Sequence, residues 1–206
     1  TREAGKSAKN GRCPGFLPNQ LAHFFIRNGL KPDDVVGLHM PNIPAHYIAL
    51  PAAQKAGCIT TGLSPLLTAH EMAHQLADSE TKIVLTVDVL YSKIAEVADE
   101  APFSTVIVSE IADFLPGVKR VLGKLLKKIP TAEVNPVPGK TVMRFMEAVK
   151  TMPKDPVAVK RKFDDGIFMM YTGGTTGPAK GALQGAARHR IYGRASHQRR
   201  GQGVEA

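Results

Sequence analysis

Cysteine is nearly missing from this chain. Cys13 and Cys58 are the only two in 206 residues. They give neither a disulfide framework nor a zinc-ligand spacing, and their scarcity suits a reducing cytoplasm. No secretory leader and no internal repeat is legible. Residues 35–54 carry no charged side chain, but Pro41, Asn42, Pro44 and Pro51, with His39 and His46, speak against a membrane span. They read better as a buried strand, a turn and a helix begun at Pro44. Acidic residues are in deficit: Lys plus Arg number 27, Asp plus Glu 18, and the net charge is +9. Spread evenly, that excess would invite a nucleic-acid or membrane reading. It is not spread evenly. Residues 1–20 carry four basic groups against one acidic, and residues 183–206 five against one. The 162 residues between them hold 18 against 16 and are nearly neutral.

The neutral body has an ordinary single-domain size. Its apolar patterning and turn residues predict alternating elements. Helices are expected over 21–28, stopped by Gly29, and over 44–56, interrupted by Pro51 and ended by Gly57. Further helices are expected over 68–77, 92–100, 117–129 and 142–152. Strands are expected over 35–39, 58–62, 82–87 and 105–109, with a last one over 167–171. Such alternation argues for an α/β fold built on a doubly wound, mostly parallel sheet. In such sheets ligands sit beyond the carboxyl ends of the strands.

The most informative segment follows the apolar run Ile167-Phe168-Met169-Met170. It reads Tyr171-Thr172-Gly173-Gly174-Thr175-Thr176-Gly177-Pro178-Ala179-Lys180-Gly181-Ala182. Glycines let successive backbone N–H groups turn inward around an anion. Threonine hydroxyls add donors, and Lys180 adds a full positive charge. A polyphosphate is the ligand such a loop suits. The Walker pattern does not apply, because Pro178 and Ala179 separate Gly177 from Lys180. Gly181 also stands where a Mg²⁺-binding hydroxyl would follow the lysine. A plain surface turn rarely combines so many glycines, hydroxyls and a lysine behind a buried strand.

These residues resemble the phosphate-loop signature of the AMP-forming acyl-CoA synthetases and ligases, the adenylate-forming superfamily. Residues 29–38, 40–44 and 54–58 resemble earlier family segments in the same order. So does the stretch from Gly62-Leu63-Ser64-Pro65 to Asp78-Ser79. The wording is most similar to the long-chain fatty-acid–CoA ligase branch, and the resemblance covers roughly 21–182. It implies part of the N-terminal AMP-binding domain over 21–182. Residues 1–20 match nothing in the family and are expected to be disordered. Residues 183–206 are a basic tail expected to be disordered or out of frame.

The resemblance also implies a chemistry. Family members join a fatty-acid carboxylate to the α-phosphate of ATP with Mg²⁺, release pyrophosphate, and then transfer the acyl group to coenzyme A. Thr172, Gly173, Gly174, Thr175, Thr176, Gly177 and Lys180 are expected to contact the β- and γ-phosphates. No catalytic residue is assigned. The family's adenine pocket, Mg²⁺-binding Thr-Glu motif, ribose-binding aspartate and adenylation lysine match nothing in these residues. The chain is therefore expected to be inactive by itself and cytoplasmic, with any peripheral membrane contact made by the segment described next.

Residues 117–129 put Val118, Val121, Leu122, Leu125, Leu126 and Ile129 on one helical face, beside Lys119, Arg120, Lys124, Lys127 and Lys128. A helix of that kind packs on a sheet with its lysines in water. It can also lie weakly on the inner face of an anionic membrane. His70-Glu71-Met72-Ala73-His74 fits the His-Glu-x-x-His pattern of zinc peptidases. Thr68-x-x-Glu71, however, is a capping box that employs Glu71 at the helix start. The tail uses five Arg and no Lys, whereas residues 1–182 use 16 Lys and six Arg. One reading is a frameshift near residue 183. The other is a basic arm, for which the single aromatic Tyr192 offers little base stacking, so no specific nucleic-acid partner is expected. On the frameshift reading, translating the other two frames beyond codon 183 restores later family motifs. Failure of both frames to do so removes it.

Overall fold

The protein, represented by a computed structural model, is described over residues 16–115, 130–157, 159–162, 165–174, 177–185 and 189–192. Its helices are α1 (Leu17–Arg27), α2 (Pro44–Lys55), α3 (Ala69–Asp78), α4 (Tyr91–Glu96) and α5 (Phe145–Lys150). Its strands are β1 (Val35–His39), β2 (Ile59–Gly62), β3 (Ile83–Val87), β4 (Thr105–Ser109) and β5 (Thr141–Arg144). Then come β6 (Gly166–Gly174), β7 (Gly177–Gly185) and β8 (His189–Tyr192). All eight strands form one sheet in the order β5-β4-β3-β1-β2-β6-β7-β8. From β5 to β6 every pair is parallel, and β7 and β8 are added antiparallel. The doubly wound, mostly parallel α/β fold expected from the sequence is what forms.

Side-chain alternation explains the layers. Val36, Leu38, Ile83, Leu85 and Ile107 join a core with α1, α2 and α5. Val84, Val106 and Val108 join a second core with α3 and α4. Strands covered on both faces are mostly apolar, which is why β1, β3 and β4 are rich in Val, Ile and Leu. The chain steps from β1 to β2 over α2, then reverses through α3 to β3 and through α4 to β4. Right-handed crossovers in opposite directions place their helices on opposite faces.

Helix ends follow their residues. Pro44 begins α2 in its first turn, where its missing N–H costs nothing. Pro51 lies inside α2 and cannot donate to the Tyr47 carbonyl; Tyr47 is 64% exposed, so water can serve that group. Gly57 follows α2 at φ 79°, and an added Cβ there would also meet Val159 Cγ1 at 2.9 Å. α1 is fastened to the segment after α5: Asn19 Nδ2 donates to the Lys154 carbonyl at 2.8 Å, and Gln20 Nε2 to Val149 at 2.9 Å and Met152 at 3.0 Å.

Several expectations need correction. The helix expected over 142–152 is divided between β5 and α5. Val106 pairs with Val142 across the open edge of β4, so strand pairing claims the first residues. Lys140 fixes this edge through Nζ bonds to the Ala101 and Phe103 carbonyls at 2.9 and 2.7 Å. The helix expected over 92–100 is shorter and starts earlier, after a 3-10 turn at Asp88–Leu90. The strand at 167–171 is longer and is not the last, since β7 and β8 follow it. The basic helix expected over 117–129 lies outside the described residues. No helix among the described residues is long and apolar enough to cross a membrane.

Two polar groups, half-buried Arg161 and buried His39, generate measurable expectations. Arg161 gathers the amino ends of three strands. Its Nη1 donates to the Gly57 carbonyl at 2.8 Å and to Asp33 Oδ1 at 3.1 Å; its Nη2 donates to the Gly166 carbonyl at 2.6 Å. Arg161→Met keeps the stem and loses these bonds, so urea unfolding should show a loss of about 1.5–3 kcal/mol. His39, fully buried at the end of β1, bonds Thr86 Oγ1 through Nδ1 at 3.1 Å. Burial, and secondarily the Lys93 charge, lower its pKa from 6.5 to about 4. Unfolding therefore takes up a proton between those values. Stability is full above about pH 6.5 and falls as pH drops toward 4, by up to roughly 3 kcal/mol. In paired urea titrations at pH 7.5 and 4.5, His39→Leu should lose most of that difference.

Candidate phosphate-binding site

β6 enters the sheet beside β2, with Thr60 paired to Phe168 and Thr61 to Met169. The Thr60 hydroxyl donates to the Ile167 carbonyl at 3.1 Å. Because β6 runs parallel to β1, β2 and β3, its far end reaches the same carboxyl edge as His39, Gly62 and Val87. There it turns and returns antiparallel as β7. Tyr171 pairs with Gly181, Thr172 with Lys180, and Gly174 with Gly177, with a register irregularity between Thr172 and Gly174.

The expected site residues are thus partly gathered. Thr172, Gly173 and Gly174 end β6, whereas Gly177 and Lys180 lie in β7. Thr175 and Thr176 lie outside the described residues. The glycine-rich loop expected over 172–180 takes the form of a hairpin in which Gly174 pairs with Gly177. Ladder pairing satisfies backbone N–H and C=O groups that an open loop would leave to water.

α3 supports this corner. Gln75 Nε2, on a buried side chain, donates to Thr61 Oγ1 at 3.1 Å and to the Gly62 carbonyl at 2.9 Å. At the end of the same helix, Asp78 Oδ2 accepts from the Tyr171 hydroxyl at 2.7 Å. Burial, then the Asp78 carboxylate, push the Tyr171 phenol well above its usual range, so it stays a donor. Lys93 Nζ donates to the Pro65 and Leu67 carbonyls and braces the neighbouring loop. Sequence reasoning quoted Tyr171 and Asp78 in separate segments, and nothing in their spacing joins them. Gln75 gave no signal, because a glutamine on an amphipathic helix usually faces water.

The His70–His74 pattern does other work. Glu71 Oε2 accepts from the Thr68 N–H at 2.8 Å, and Thr68 Oγ1 accepts from the Glu71 N–H at 3.3 Å. This is the capping box expected from the sequence, and its hydrogen bonds lower the Glu71 pKa. Among the described residues no group of three or more His, Cys, Asp or Glu is placed to hold a metal.

The chain resembles long-chain-fatty-acid–CoA ligases from Bacillus subtilis strain 168 and Escherichia coli O157:H7. It is 29% identical to the first over 167 residues and 32% identical to the second over 156. These matches cover 80% and 75% of this chain but only 30% and 28% of the relatives. The fold matches the anthranilate CoA ligase AuaEII in complex with anthranoyl-AMP, with TM-score 0.67 and 17% identity, over 84% of this chain and 29% of that one. It also matches a long-chain-fatty-acid-CoA ligase (FadD1) from Archaeoglobus fulgidus, with TM-score 0.62 and 19% identity, over 84% and 28%. The AMP-binding enzyme family matches residues 18–198, which takes in the whole sheet and the hairpin, and the chain belongs to that family.

Proposed function

We propose that this chain forms part of the nucleotide-binding domain of a long-chain fatty-acid–CoA ligase. In this reading Thr172, Gly173, Gly174, Thr175, Thr176, Gly177 and Lys180 hold the β- and γ-phosphates of ATP. The supporting observation is the register: Thr172 and Lys180 pair across a glycine-rich hairpin that turns at the carboxyl edge of a parallel sheet. A fatty-acid carboxylate is ionised at neutral pH, so its attack on the α-phosphate needs no strong base. What the step needs is neutralisation of charge on the departing pyrophosphate. Glycine N–H groups, threonine hydroxyls and the Lys180 ammonium supply that. Coenzyme A is the acyl acceptor in this reading. Mg²⁺, when bound, neutralises phosphate charge, and the described residues offer no cluster to hold it.

The 206 residues by themselves are expected to bind ATP weakly and to form no acyl-adenylate. Calorimetric titration of the intact chain with ATP should show binding that Lys180→Ala weakens roughly tenfold, the usual worth of a charge-assisted contact. Binding indifferent to Lys180 would put the nucleotide elsewhere. Pyrophosphate release from fatty acid, ATP and Mg²⁺ would refute inactivity.

A further inference from the structure

The outer half of β6 lacks support from β2. Register pairs between the two strands are Thr60 with Phe168 and Thr61 with Met169, so that ladder stops two residues short of Tyr171. Beyond it, the hairpin is fastened to the end of α3 by the Tyr171 hydroxyl, which donates to Asp78 Oδ2 at 2.7 Å. The ring crosses the partner strand. A Cβ on Gly181 would stand 3.1 Å from Tyr171 Cζ, 3.3 Å from its Oη and 3.3 Å from Met169 Sδ. Gly181 is also the register partner of Tyr171. A glycine leaves the ring the room it occupies. α3 in turn is held to the end of β2 by Gln75.

We propose that Tyr171, Gly181 and Asp78 form a lock that sets the base of the β6–β7 hairpin against the sheet edge and so preorganises the two strands that carry the residues proposed to hold phosphate. The three are positioning residues. The lock rests on the phosphate reading for its purpose, though not for its existence. Preorganisation matters because strands already held in place lose less freedom when an anion binds. Burial and Asp78 together keep the phenol protonated, so the contact persists across ordinary pH.

Hydrogen exchange of the full chain, read beside titration with inorganic tripolyphosphate, tests both parts. Tyr171→Phe and Asp78→Ala should each speed amide exchange in the hairpin beyond Met169 by roughly tenfold, while β1 and β3 amides stay slow. Both should weaken tripolyphosphate binding several-fold. Asp78→Asn keeps an acceptor and should restore most of each effect. Unchanged hairpin exchange in Tyr171→Phe overturns the lock, as does equal acceleration through the whole sheet. Absence of tripolyphosphate binding by the parent chain overturns the phosphate reading, and the exchange result, which needs no ligand, judges the lock separately.

Discussion

A parallel sheet buried on both faces makes every unpaired polar group on its interior strands costly. That constraint governs this molecule. β1, β3 and β4 are buried at every residue. Most polar side chains they carry are short and bonded; His39 is the exception, bonded through Nδ1 while its buried Nε2 has no partner. Thr86 meets His39, and the Ser79 hydroxyl, just before β3, meets Thr81 at 2.7 Å. An unsatisfied hydroxyl or amide in such a place costs about 1–3 kcal/mol. Large apolar side chains can fill the remaining space, and Phe25, Phe103 and Phe145 do so on the two faces. Truncating any of them to alanine costs about 3–5 kcal/mol by the usual measure of a core cavity.

The same constraint pushes chemistry to the rim. Side chains with spare hydrogen-bonding capacity collect at the ends of strands, where backbone ladders stop. At the amino rim, Arg161 serves three strand starts at once. At the carboxyl rim, Gln75, Tyr171 and Lys93 hold loops that the ladders no longer reach. A rigid interior with a polar carboxyl rim is the arrangement in which α/β proteins keep their ligands.

Most of the architecture was legible because each β-α step is local. β1 and β4 fall on the residues that their apolar runs mark, and Gly29 and Gly57 close their helices at positive φ. The failures came where distant pairing outweighed local pattern. Val142, Phe145, Met146 and Val149 have helical spacing, yet β4 draws 141–144 into the sheet. β7 was invisible for a different reason. Gly177, Gly181 and Gly185 with Pro178 are poor strand formers. The strand forms because the exposed edge of β6 offers a complete set of donors and acceptors. The residues proposed to hold phosphate were picked from their chemistry alone. The support that Asp78 and Gln75 give this corner depends on contacts that no local spacing encodes.

The placement of β6 beside β2 also has a consequence for biosynthesis. The hydroxyl of Thr60 and the carbonyl it meets, on Ile167, are 107 residues apart in the chain. At ordinary translation rates the ribosome needs roughly 5–20 s to make that stretch. Meanwhile β1 to β5 can assemble, because their partners follow one another closely. The flank of β2 waits without its neighbour, a strand edge of unpaired N–H and C=O groups able to template association with other nascent chains. The nascent protein thus spends its most aggregation-prone seconds before its own glycine-rich hairpin emerges, when chaperone cover is worth most.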